Sequence, residues 1–197
     1  MKSLLLSILF ILVLSACSIS GEPVPQDHFY RLPQVNIETR NTSVLDSLQL
    51  VSVTADGLYN ERNLLYVDAS RPLEVGRYHY HYWVESPLTL VAKYLAEAIK
   101  TSNVAMQFTG PKDKASVNAR MSIQIVRFER IIDDSGYSVR VGLLVDMDYR
   151  QANPGHWQKL YQLDQAVDSS DMQDSVRAFG EALNSISRML IKDLGNP

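Results

Sequence analysis

Two stretches of the chain repeat their apolar positions at helical spacing. Leu88, Val91, Leu95 and Ile99 recur at intervals of three and four in LTLVAKYLAEAIK, the pattern of a helix with one apolar face. Ser86-Pro87 ahead of it supplies an N-cap and a first-turn proline, and Lys100 follows where the helix dipole favours a cation. The second stretch, residues 170–194, puts Val176, Phe179, Leu183, Ile186, Leu190 and Leu194 on one stripe. Ser170 as N-cap and Gln173 at N3 read as a capping box, and Gly195 as the stop. Asp171 and Asp174 sit at the positive end of that helix, Arg188 and Lys192 near its negative end.

Elsewhere the period is two or the runs are short. Strands are predicted at residues 28–32, closed by Pro33, and at 48–53, 63–69, 76–84 and 103–108. Residues 119–131 and 137–149 form two long strands joined by Asp133-Asp134-Ser135-Gly136, a hairpin signature. In the first of them Met121, Ile123, Ile125 and Arg127 alternate with Ser122, Gln124, Val126 and Phe128. Asp56-Gly57 and Asn153-Pro154-Gly155 read as turns, residues 110–116 as a polar loop, and residues 157–166 as a last strand. The order of elements predicts an α+β fold, a mixed or antiparallel β-sheet with two main α-helices packed on one face.

The first residues obey a different rule. Lys2, the apolar run 4–14 and Leu14-Ser15-Ala16-Cys17 form a leader that ends in a lipobox, and the run is shorter than the ~20 residues needed to span a bilayer. Residues 1–16 are therefore expected to be cleaved as a signal peptide, leaving Cys17, the single cysteine of the chain, as the lipidated first residue. For bacterial lipoproteins this implies a diacylglycerol thioether and an amide-linked acyl chain such as palmitate. Ser18 at the next position, where aspartate would retain the protein in the inner membrane, implies the outer membrane with the folded part facing the periplasm. Residues 17–27 read as the lipidated terminus and a tether, and residues 28–197 as one domain.

Composition narrows the chemistry. The mature chain carries 18 basic and 22 acidic side chains, too little positive charge for a nucleic-acid footprint. No cysteine follows Cys17, which removes disulfides and thiolate metal sites. His79-x-His81 would place two imidazoles on one strand face, a spacing that holds a metal only if a third ligand arrives. The reading preferred here is a strand surface, and His28 and His156 carry no motif. Asp133-Asp134 reads as turn chemistry rather than a carboxylate pair. Alternation would send Tyr78, Tyr80 and Tyr82 to one face and His79, His81 and Trp83 to the other. No hydrolase elbow, zinc-peptidase helix or phosphate loop is present; no enzyme, metal or cofactor is expected.

Trp83-Val84-Glu85-Ser86-Pro87-Leu88, following a tyrosine-rich strand and preceding an amphipathic helix, resembles the ABC-type transport auxiliary lipoproteins (PqiC/YmbA-like). Phe29-Tyr30-Arg31-Leu32-Pro33, Tyr59-Asn60-Glu61-Arg62, the long strand pair, residues 157–163 and the terminal helix continue the ordered pattern over residues 28–194. The resemblance implies a non-catalytic lipoprotein that docks a periplasmic MCE-domain partner at the outer membrane, in a system moving lipids or other hydrophobic molecules between membranes. The oligomeric state stays open, a homo-oligomer included. The alternative is a lipid-binding carrier or chaperone with a cavity lined by residues such as Trp83 and Leu95.

Overall fold

The computed structural model describes residues 24–113, 116–150 and 155–195. The expected leader, Cys17, the first part of the tether and Asn153-Pro154 lie outside the described residues. The described chain runs β1 (His28–Tyr30), β2 (Leu45–Ala55), a 3₁₀ turn (Gly57–Asn60), β3 (Asn63–Asp68), β4 (Val75–Trp83), α1 (Pro87–Ser102), β5 (Ala105–Thr109), β6 (Ala119–Asp133), β7 (Gly136–Tyr149), β8 (His156–Val167) and α2 (Met172–Leu194).

All eight strands join one mixed sheet in the order β1-β4-β3-β6-β2-β5, with β7 on the other side of β6 and β8 on β7. The fold is α+β, and β6 is its spine. Its first half pairs in parallel with β2, its far end in parallel with β3, and its opposite edge with β7 in an antiparallel ladder from Ala119 to Asp133.

The expected alternation along β6 holds only to Ile125. The ladder slips between Ile125, opposite Leu143, and Arg127, opposite Gly142, so Val126 is an inserted bulge residue. A β-bulge of this kind resets which side chains face inward. Met121, Ile123, Ile125 and then Phe128 are buried, whereas Arg127 is exposed. Gly142 makes the bulge possible, because a β-carbon there would stand 3.0 Å from Val126 Cγ2 and 3.2 Å from Arg127 Cβ.

Both helices cover one face of the sheet: α1 lies over β2 and β5, and α2 over β8 and β7, where Val139, Val141, Leu143, Val145 and Met147 are fully buried. They touch each other where the Tyr94 hydroxyl donates to the Gly180 carbonyl at 3.1 Å. The predicted stripe of α2 is buried in full, from Val176 to Leu194. In α1 the buried face is Leu90, Val91, Tyr94, Leu95, Ala98 and Ile99, with Leu88 half-buried beside it.

The helix starts differ in detail from expectation. Ser86 is the N-cap of α1, but its side chain caps no backbone N–H and lies 3.3 Å from the Thr89 hydroxyl. In α2 the N-cap is Asp171 rather than Ser170: its carboxylate accepts the Gln173 N–H at 2.9 Å. Ser170 stays outside the helix with its carbonyl held by Arg130 at 3.0 Å.

Residues 31–44, free of regular structure, form a strap over both helices. Pro33 lies against Gly180, the Asn36 N–H donates to Asn184 Oδ1 at 3.0 Å, and the Arg40 N–H donates to the Ser102 carbonyl at 3.0 Å. This crossing is why β1 ends at Tyr30 instead of continuing to Leu32. Among the described residues no helix is long and apolar enough to cross a membrane.

Candidate functional site

The residues singled out in the sequence gather where β1 meets β4. β1 pairs in parallel with the end of β4, matching His28 with His81, Phe29 with Tyr82 and Tyr30 with Trp83. Parallel partners share a face, so the edge has two chemically distinct sides.

On the helix side, Trp83 is 1 % exposed and packs against Phe128 and Phe179, with ring centroids 5.4 and 5.3 Å away. Nearer solvent, His28 stacks on His81 at 5.2 Å, and the Tyr30 hydroxyl lies 2.8 Å from His81 Nδ1. Burial, and then the charges of His28 and Arg130, lower the His81 pKa. Burial and the charge of Asp171 raise that of Tyr30.

Arg130 closes this cluster from β6. Its guanidinium donates to the Tyr78 hydroxyl at 3.2 Å and the Ser170 carbonyl at 3.0 Å, and lies 4.0 Å from the Tyr137 ring centroid. The side chain is buried, and among the described residues its Nε has no hydrogen-bond partner and no carboxylate pairs with it. A buried cation held by one hydroxyl, one carbonyl and one ring is unusual, since desolvating a charge costs several kcal/mol or more unless it is paired.

On the other side of the edge, Phe29 stacks on Tyr82 at 5.7 Å, and the Arg62 guanidinium lies 5.5 Å from the Phe29 ring centroid. Arg62 also clamps Trp83 through its backbone: the Trp83 N–H donates to the Arg62 carbonyl at 2.7 Å, and Arg62 Nε donates to the Trp83 carbonyl at 3.0 Å. Three separate sequence motifs, those beginning at Phe29 and Trp83 and the one ending at Arg62, therefore meet at one junction. The remaining members of the Tyr59 motif are also engaged. Tyr59 donates its hydroxyl to the buried Glu129, Asn60 Nδ2 donates to the Ala55 carbonyl at 2.6 Å, and Glu61 pairs with Arg77 at 2.6 Å.

The regular alternation expected for residues 78–83 is absent. The β3–β4 ladder jumps from Leu65 opposite Arg77 to Asn63 opposite Tyr82, so residues 78–81 bulge out. Tyr78 and His81, expected on opposite faces, meet edge to face at 5.6 Å. His79 is exposed and its ring meets Tyr80, so the two histidines of His79-x-His81 do not share a face. Among the described residues, no group of three or more His, Cys, Asp or Glu side chains is placed to hold a metal.

The other candidates are structural or isolated. Asp133 accepts the Ser135 N–H at 2.6 Å and its hydroxyl, bonds that lower its pKa, while Asp134 is exposed in the same turn. His156 meets Asp146 at 2.9 Å on the uncovered face. Trp83 and Leu95, proposed as cavity lining, are packed core at 1 % and 0 % exposure. The grooves lie elsewhere, one of about 600 Å³ between residues 36–41 and the end of α2, another of about 350 Å³ between Leu32-Pro33 and α1. Sequence reading missed Glu129 and Arg130 as buried charges; the signal was three charged residues among apolar ones in the run Arg127 to Ile132.

No family model matches the chain, and no curated protein matches it. Solved structures do share its fold. Protein XCC0632 from Xanthomonas campestris, assigned to DUF330, superposes with a TM-score of 0.68 at 15 % identity over 83 % of this chain and 92 % of that one. An uncharacterized protein gives 0.70 at 9 % identity over 86 % and 99 %. The hypothetical protein CT253 from Chlamydia trachomatis gives 0.52 at 10 % identity over 77 % and 96 %. At these identities the likeness is one of fold: this chain has the sheet-and-two-helix architecture of the DUF330 protein XCC0632.

Proposed function

We propose that the chain is a non-catalytic outer-membrane lipoprotein that docks a periplasmic MCE-domain partner of an ABC-type intermembrane transport system. Cys17 sets its position, and the domain supplies the binding surface. The observation that carries this reading is the convergence of Phe29, Arg62 and Trp83, drawn from three of the short motifs on which the family resemblance rests. A lipobox directly upstream adds the address. In this reading the motif residues build a junction and perform no chemistry, and the junction stands where the tether joins the domain.

The test is a pull-down of the Cys17→Ala chain with the MCE-domain protein encoded in the same bacterium. Association at micromolar concentration is expected, and no association at high micromolar concentration would overturn docking. Metabolic labelling with palmitate, abolished by Cys17→Ala, checks the anchor independently.

A further inference from the structure

The face of β1 that carries Phe29 is apolar and open. Phe29 is 55 % exposed over Tyr82. Val84, whose N–H donates to the Tyr30 carbonyl at 2.8 Å, and Val24 just ahead of β1 add exposed apolar surface. Arg62 lies over the Phe29 ring and has no carboxylate partner among the described residues. The neighbouring acids are already engaged, Glu61 by Arg77 and Glu85 by Lys93, both at 2.6 Å.

The length of chain ahead of β1 says what can reach this surface. Eleven residues lead from Cys17 to His28, and a flexible chain of that length spans about 18 Å on average and about 40 Å at full stretch. A domain of this size has a radius of gyration of about 16 Å. The surface around β1 therefore lies within ordinary reach of an acylated Cys17, whereas more distant surfaces reach the bilayer only by stretching the tether. Tethering also raises the local concentration of lipid, so a weak contact suffices.

The chemistry suits that neighbour. Tyr and Trp rings settle at the level of the lipid headgroups, Phe buries at the boundary of headgroups and acyl chains, and a guanidinium pairs with phosphate through two parallel hydrogen bonds. We infer that the β1–β4 edge around Phe29, Tyr82 and Arg62 is a bilayer contact, seated in the headgroup layer when Cys17 is acylated. The inference rests on the anchoring reading above.

The experiment uses the full lipidated chain in vesicles of phosphatidylethanolamine and phosphatidylglycerol, with or without brominated phospholipid. Phe29→Trp places a reporter in the contact and keeps an aromatic ring there. Leu73→Trp places one at the fully exposed turn between β3 and β4. The unsubstituted chain gives the background of Trp83 and Trp157. The emission added by residue 29 should fall about twofold on brominated lipid, as for a ring at headgroup depth, and that added by residue 73 should not change. A chain that fails to float with the vesicles overturns the anchor and the contact together. A floating chain whose residue 29 is unquenched, or quenched no more than residue 73, overturns the contact alone. Amide exchange gives a second measure: residues 28–30 and 81–83 should exchange more slowly in vesicles than in the soluble Cys17→Ala chain. Protection that appears only when an MCE domain is added, without lipid, would assign the edge to a protein partner and refute the contact.

Discussion

Gly180 stands in the interior of α2, where glycine is about 1 kcal/mol less favourable than alanine, yet Gly180→Ala is expected to destabilise this protein. A β-carbon there would lie 2.3 Å from Pro33 Cγ and 2.7 Å from Pro33 Cδ. The pyrrolidine ring has no alternative rotamer by which to withdraw, and forcing atoms into a packed site costs about 1–3 kcal/mol. Lifting the strap instead would loosen the bond from the Asn36 N–H to Asn184, worth about 1 kcal/mol, and draw Leu32 and Val35 away from the core. Setting the steric cost against the gain in propensity leaves a net loss of up to about 2 kcal/mol. Pro33→Ala removes Cγ and Cδ and leaves the β-carbon 3.5 Å away, an ordinary contact. In that background Gly180→Ala should stabilise by up to about 1 kcal/mol. Urea unfolding of the four proteins closes a double-mutant cycle with an expected coupling of about 2 kcal/mol. If Gly180→Ala raised the urea midpoint equally in both backgrounds, the close-approach reasoning would be refuted.

Three further outcomes can be checked by urea unfolding. The folded His81 pKa is lowered, so the unfolded chain takes up that proton first; the His81 contribution is complete above the unfolded value of about 6.5 and is lost as pH falls through the folded value. His81→Phe, which keeps the stacking and cannot titrate, should flatten this part of the stability–pH curve, and an unchanged slope would count against it. Asp171→Ala should cost about 1 kcal/mol through the lost cap, whereas Ser170→Ala should cost less than about 0.5 kcal/mol; the reverse order would restore Ser170 as the cap. Arg130→Met should change stability by less than about 1 kcal/mol, because the cation it removes is buried and unpaired, whereas Phe128→Ala should cost about 3–5 kcal/mol.

The particular elements show which parts of the fold were legible. The α2 stripe is buried as its spacing required, and the β6–β7 hairpin turns at Asp133-Asp134-Ser135-Gly136. Both follow from interactions among residues close in sequence. The alternation of β6 failed beyond Ile125 because nothing local in Val126-Arg127-Phe128 marks an inserted residue. The room for it is made by Gly142, on the next strand. The alternation of residues 78–83 failed similarly, where the β3–β4 ladder jumps just before the end of β4 on which β1 pairs in parallel. The N-cap of α2 moved by one residue because Arg130, distant in sequence, holds the Ser170 carbonyl. Of the candidate site, the sequence supplied Phe29, Arg62 and Trp83 as members of separate motifs and gave no sign that they touch.

By itself the sequence determined the helices, the long hairpin and the α+β class, because apolar period and turn residues are local. The tertiary structure decided the junction of β1 with β4, the bulge that turns Phe128 inward, the strap that fixes Gly180, and the buried charges Glu129 and Arg130. Parallel pairing, unlike a hairpin, joins segments far apart in the chain. Its register is chosen by which apolar faces can be buried together, and that choice exists only once the sheet and its helices are assembled.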